Sequence, residues 1–241
     1  MSEKTADDLR KILEARPLDA SAADYFLEHS PRCECELASA VSGGHGAVER
    51  QEKLSIFLGS PRHSRERYKD KETADKAGFP YKTNVFDAAF RGGLSLMRED
   101  KATNDEVRRQ GAKIAEGLRS DNPKNGFYSV LQFDAEVIFS ATDTKVGSRN
   151  FCLYDTPIDT DIEGQEVYSH ADIFAGGEPP VSALRTARRL QIRQAVAANY
   201  DELTVGEYRE GILNDWIAES AFEKEKEKAK AEEEAEEGKS A

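Results

Sequence analysis

Between Phe127 and Phe139 the odd positions run Phe, Ser, Leu, Phe, Ala, Val, Phe, while the even positions include Gln132, Asp134 and Glu136. A period of two over this length puts apolar side chains on one face of an extended strand and polar ones on the other. A helix would scatter the same residues around its axis, so this stretch commits the chain to a sheet. The segment "NFCLY", residues 150–154, follows after "ATDTKVG", which reads as a turn. The two together predict a hairpin. The expected fold class is α+β, with an antiparallel hairpin or small sheet over about 127–155, packed by several helices and joined by long irregular loops.

Helical signals lie on both sides of that strand. Residues 5–15 carry Leu9, Ile12 and Leu13 at helical spacing before Pro17, and a second short helix is expected over 19–29. Ser30 and Pro31 open a third, with Cys33, Leu37 and Val41 on one face. Thr103-x-x-Glu106 has the form of a capping box, and Val107, Ile114 and Leu118 form the apolar stripe behind it. Phe86, Phe90 and Met97 suggest a helix interrupted by Gly92-Gly93. A further helix is expected over 181–200. Thr204-x-x-Glu207 then opens a last one, with Tyr208, Ile212, Trp216 and Phe222 inward. For residues 47–59 periodicity does not choose between helix and strand.

These elements predict a single α+β domain over residues 1–222, with a helical N-terminal subregion over 1–58. Residues 59–84 show neither period and form an irregular, charged loop. Loops of that length in a compact domain are usually functional or ordered by a partner. Residues 223–241 form a charged C-terminal extension, helical or disordered, supported by Glu and Lys pairs.

Charge narrows the partners. The formal net charge is −12. The extension holds eight Glu and five Lys, so most of the negative charge belongs to the body. A globally acidic body argues against nonspecific DNA binding, where neutralising phosphates dominates affinity. Three cysteines, Cys33, Cys35 and Cys152, are a sparse and odd set that suits a reducing compartment. The start "MSEKTADDLRK" lacks a signal-peptide core, and no apolar run approaches the roughly 20 residues that span a bilayer. The expected location is cytoplasmic or within an intracellular or viral particle, not secreted and not in a membrane.

Several constellations could carry chemistry. Asp134 on the strand, Asp143 and Lys145 in Asp-x-Lys form, and Glu116 on the preceding helix match a metal-dependent nuclease. In that chemistry two carboxylates hold a divalent ion and a lysine helps activate water. The competing reading is a solvated strand face followed by an ordinary turn. Asp159, Asp161 and Glu163, followed by Gly164, resemble the start of a Ca2+ loop, but the twelfth position is His170 instead of a bidentate acid. An acidic loop holding Mg2+ or Ca2+ is the functional reading there, and a solvated acidic loop the plain one.

His29, Cys33, Cys35, His45 and His63 have the right types for zinc. On one helix, however, Cys33 and Cys35 stand about 200° apart, so core cysteines are favoured. The run "SGGHG" lacks the strand and Lys-Ser/Thr of a phosphate cradle and reads as a turn.

Two basic clusters remain. One holds Arg62, Arg65 and Arg67; the other is a stripe of Arg185, Arg189 and Arg193 with Arg188 alongside. Either can follow a phosphate backbone or an acidic protein surface, and the plain alternative is pairing within the chain. Ile192 and Val196 near the same face suggest that the stripe's helix is partly buried.

The leading expectation is a non-enzymatic binding or structural subunit of a larger protein or nucleoprotein assembly, with other protein subunits as partners. The alternative is the nuclease or phosphoryl-transfer enzyme, and the third reading is the divalent-metal module.

Overall fold

The structure, a computed structural model, describes Cys33 and residues 45–60, 83–90, 93–120, 122–141, 150–156, 158–159, 166–175 and 182–219. Among these, six strands form one antiparallel sheet: β1 (Lys53–Ser60), β2 (Leu94–Arg98), β3 (Gly126–Asp134), β4 (Phe151–Asp155), β7 (His170–Ala175) and β8 (Tyr200–Thr204). Two short strands, β5 (Ile158–Asp159) and β6 (Glu166–Val167), pair separately. The helices are α1 (Asn104–Arg119), the single turn α2 (Glu136–Phe139) and α3 (Ser182–Ala197), with 3-10 segments at Thr83–Phe90, Tyr208–Gly211 and Asn214–Trp216. The α+β reading is what the described residues form.

The strand order is β4-β7-β2-β1-β3-β8. The expected hairpin between 127–134 and 150–155 is therefore not made. Three strands lie between β3 and β4; β3 pairs with β1 and β8, and β4 with β7. Alternation determines which face a residue takes and says nothing of which strand lies alongside. The apolar residues after Asp134 also leave the strand, because Val137 and Ile138 are buried from the helical turn α2.

A second correction concerns faces. The expected single buried face of β3 is replaced by burial on both sides. Leu131 and Phe133 join Leu54, Ile56 and Leu58 in one apolar cluster, capped by Val85, Phe86, Ile138, Ile192 and Val196. Phe127 and Val130 join Phe57, Val107, Tyr208 and Leu213 in the other. Phe127 changes side because the β1–β3 register shifts between Leu58↔Ser129 and Gly59↔Phe127, a bulge that leaves Tyr128 as the extra residue. Helices and 3-10 turns thus cover the sheet on both faces, and each fully buried Leu or Phe contributes about 1.5–3 kcal/mol.

The capping box at Thr103 forms as expected, with hydroxyl and carboxylate exchanging hydrogen bonds with the opposite backbone N–H groups. Val107 is buried, and Ile114 and Leu118 pack against the second cluster. The helix expected around Phe86, Phe90 and Met97, interrupted at Gly92-Gly93, is instead a 3-10 segment followed by β2, with Gly93 at φ 93° between them. The last expected helix is also broken. Thr204 and Glu207 do exchange capping hydrogen bonds, but Arg209, Glu210 and Gly211 all take positive φ and stop propagation. Tyr208 and Ile212 are nevertheless buried, and the chain returns beside β3, where the Ala218 N–H reaches the Phe127 carbonyl at 2.8 Å. Gly126 permits that approach: a Cβ there would lie 2.2 Å from the Trp216 carbonyl oxygen.

Cys33 and Cys152 are joined by a disulfide across 119 residues. Cys33 is therefore not a free core thiol, and the cysteines no longer argue for a reducing compartment. No described helix is long and apolar enough to cross a membrane. Apart from Cys33, which takes φ 57° and is not helical, the helices expected within 5–41 and the extension over 223–241 lie outside the described residues, as do residues 61–82 of the charged loop.

Candidate functional site

The densest group of charges sits where β2 ends. Arg98 is fully buried. Its Nε and one terminal nitrogen donate to the Glu52 carboxylate at 2.8 and 2.7 Å. The other terminal nitrogen donates to Asp155 at 2.9 Å and to the Gly46 carbonyl at 2.8 Å. The Ala47 carbonyl takes the remaining bond at 3.2 Å. A guanidinium has five N–H donors, and all are used. The carboxylates are held in turn: the Gly46 N–H donates to Asp155 and the Glu49 N–H to Glu52.

Burial works against the charge on Arg98, but Glu52 and Asp155 outweigh it and hold its pKa above the usual value. Burial likewise pushes the Glu52 carboxyl up, and hydrogen bonds from Arg98 and the Glu49 amide outweigh it, leaving a pKa below the usual carboxylate range. Every strong group in this node is consumed by another. Its chemistry is that of a clamp joining β2, β4 and residues 46–52.

Beside it, Thr156, His170 and Asp172 supply the residue types of a nucleophile, base and acid. The Thr156 hydroxyl donates to Asp172 at 2.9 Å and lies 3.2 Å from His170 Nδ1. The same Nδ1 faces the Thr156 carbonyl and is 3.9 Å from Asp172, while buried Nε2 has no partner. A catalytic relay needs the acid on one ring nitrogen and the nucleophile on the other. Here both are on the Nδ1 side, so the arrangement orients the ring without activating the hydroxyl.

A second clamp starts from the next residue. Glu99 receives bonds from the Tyr208 hydroxyl at 2.6 Å and from Arg209 Nε and a terminal nitrogen at 3.0 and 2.8 Å. Arg209 also donates to the Glu99 and Ala102 carbonyls. Burial, then the charge on Glu99, raises the Tyr208 pKa, so the phenol stays protonated. Glu106, beyond its cap, accepts from the Tyr168 and Ser169 N–H groups. Burial raises its pKa, and the Thr103, Ser169 and Tyr168 hydrogen bonds more than offset that.

The residues expected to act from sequence are placed as follows. Asp134 is exposed at the end of β3, opposite Lys53. α1 begins next to Arg98 and ends where Arg119 donates to the Asn125 carbonyl, at the other end of the sheet. Glu116 stands on the exposed side near that far end, so it and Asp134 are not brought together. Glu136 does not share a strand face with Asp134; it is bound by Arg50. Asp143 and Lys145 lie outside the described residues, as do Asp161, Glu163, Arg62, Arg65 and Arg67.

Asp159 is described only as part of β5, and Arg185 and Arg189 only as part of α3. Arg188 is buried and Arg193 half-buried, and neither is free of interactions. Of the zinc candidates, Cys33 is committed to its disulfide and His45 is exposed. Among the described residues no group of three or more His, Cys, Asp or Glu side chains could hold a metal ion.

The two clamps were not anticipated from sequence. Their members are scattered over more than a hundred positions, and the one local signal is an arginine directly after the short apolar run of Leu94, Leu96 and Met97. Compared with known proteins, the chain matches no family model, no curated protein and no solved structure.

Proposed function

We propose that the chain works by binding, as a non-enzymatic subunit of a larger protein or nucleoprotein assembly. The observation that supports this is the contrast between the two edges of the sheet. On one edge every residue of β4 is buried. On the other, no strand pairs beyond β8 among the described residues, and Asp201 and Glu202 there are exposed. An exposed strand edge offers backbone donors and acceptors to a further strand. The acidic pair favours a basic protein segment over nucleic acid, and the burial of Arg188 removes one cation from the basic stripe that a phosphate backbone would use.

The test is the native mass of the protein purified from its source, with and without the double substitution Asp201→Lys and Glu202→Lys. A companion subunit lost from the charge-reversed chain is the expected result. A clean monomer in both preparations overturns the reading.

A further inference from the structure

β1 and β2 are neighbours for only two paired positions, Leu54↔Arg98 and Ser55↔Met97. Beyond them β1 stays paired with β3 as far as Ser60, across the bulge at Tyr128, and β2 stays with β7 from Met97 back to Leu94. The strands diverge while each remains in the sheet, and a seam opens between them. A cavity of about 170 Å3 lies in this seam. Its walls are mainly apolar, with Ala88 of the 3-10 segment on one side, Leu94 and Leu96 of β2 along the seam, and Ile114 of α1 on the other. Ser95 is at the lining and exposed, which marks the side open to solvent.

Two buried polar side chains also line the cavity. The Ser55 hydroxyl is already engaged by Gln132 Nε2 at 3.1 Å. Gln110, only 2% exposed, lines the cavity from α1, and its Oε1, itself closed to solvent, accepts no hydrogen bond. A buried acceptor left unmatched costs about 1–3 kcal/mol, and native interiors seldom keep one without a use.

We propose that the seam is a binding site for a small, mainly apolar molecule carrying one hydrogen-bond donor, in the class of monohydroxylated or monoaminated aromatic rings. Size supports this, because an apolar protein cavity of roughly 150 Å3 holds benzene. Chemistry supports it too, since one donor satisfies the unpartnered Gln110 oxygen once that amide turns to the cavity, while the ring covers the Leu, Ile and Ala surface. The site goes beyond the assembly reading and does not depend on it, for it lies inside the sheet and away from the β8 edge.

The test uses phenol, anisole and toluene as probes on the full chain, read through methyl NMR shifts of Leu94, Leu96 and Ile114. Phenol donates a hydrogen bond, whereas anisole and toluene cannot. Phenol is expected to saturate these shifts with an affinity roughly tenfold above the other two, the worth of one hydrogen bond. Gln110→Met should abolish that preference while keeping toluene binding. Ser95→Phe, at the exposed rim, should block all three probes and provides a second variant if Gln110→Met fails to fold. No saturable shift in the wild-type chain, equal binding of phenol and anisole, or a phenol preference that survives Gln110→Met would each overturn the proposal. So would shifts explained by water exchange alone, unchanged by any probe.

Discussion

Arg98 and Glu99 are consecutive, yet they anchor clamps of different depth. The Arg98 clamp is dry: its guanidinium side chain is 0% exposed, and Glu52 and Asp155 are 5% and 0% exposed. It joins three parts of the fold across the β4 half of the sheet. The Glu99 clamp is wetter, with the Arg209 side chain 20% exposed. It fastens the 3-10 turn after β8 to the loop between β2 and α1. Partner type and bond length are similar in the two. Access to solvent therefore decides what each contributes, because water can take over broken bonds in one and not in the other.

The largest effect should come from breaking the dry clamp. Arg98→Met leaves Glu52 and Asp155 buried without their cation, and a loss of about 3–5 kcal/mol is expected in urea unfolding. A loss below 1 kcal/mol would show that water reaches the carboxylates. The same half of the sheet has a second lock, since Cys152 lies on β4 with Asp155. Cys152→Ser should cost about 2–4 kcal/mol, read as the difference in midpoint from the oxidised wild type.

Arg209→Ala tests the wetter clamp, and about 1–2 kcal/mol is expected because solvent replaces part of what is lost. If its cost matched that of Arg98→Met, depth would not be the deciding variable.

Acid separates the clamps by another route. The pKa of Glu52 is held below its ordinary value in the folded state. Its stabilisation is therefore fully present above the unfolded-state value of about 4.3 and is lost as pH falls through the lower folded value. The Arg98→Met chain should show a shallower loss of stability below about pH 4.3 than the wild type, part of the remaining slope coming from Glu106. An identical slope in the two would remove Glu52 from the account. The smallest effect belongs to the open edge: Lys53→Met removes an exposed ion pair with Asp201 at 3.4 Å and should change stability by less than about 1 kcal/mol.

What could be read in advance follows the range of each interaction. The capping box at Thr103, the stripe of Val107, Ile114 and Leu118, and the helix carrying Ile192 and Val196 are legible because their partners are three or four residues away. The strand around Leu131 is legible for the same reason, its signal being strictly local. The hairpin fails because β3 and β4 satisfy their backbone groups with strands brought from elsewhere. The final helix fails because Arg209, Glu210 and Gly211 take positive φ, and from that turn Tyr208 and Arg209 reach Glu99.

The nuclease set read along the sequence was Glu116, Asp134, Asp143 and Lys145, of which Asp143 and Lys145 lie outside the described residues. Its two described acids stand toward opposite ends of the sheet. Gln110 carries no mark of its own in the sequence, and only the divergence of β1 from β2 gives it a cavity to line.

By itself the sequence determined the α+β character, the strand at Leu131 and the α1 cap, because period and capping are properties of neighbouring residues. The tertiary structure alone decided the strand order, the pairing of Cys33 with Cys152, the side of the sheet that Phe127 faces, and the burial of Arg98. Each of these depends on which distant segment comes to lie alongside. That choice is made by the summed burial of two apolar faces, which no local pattern encodes.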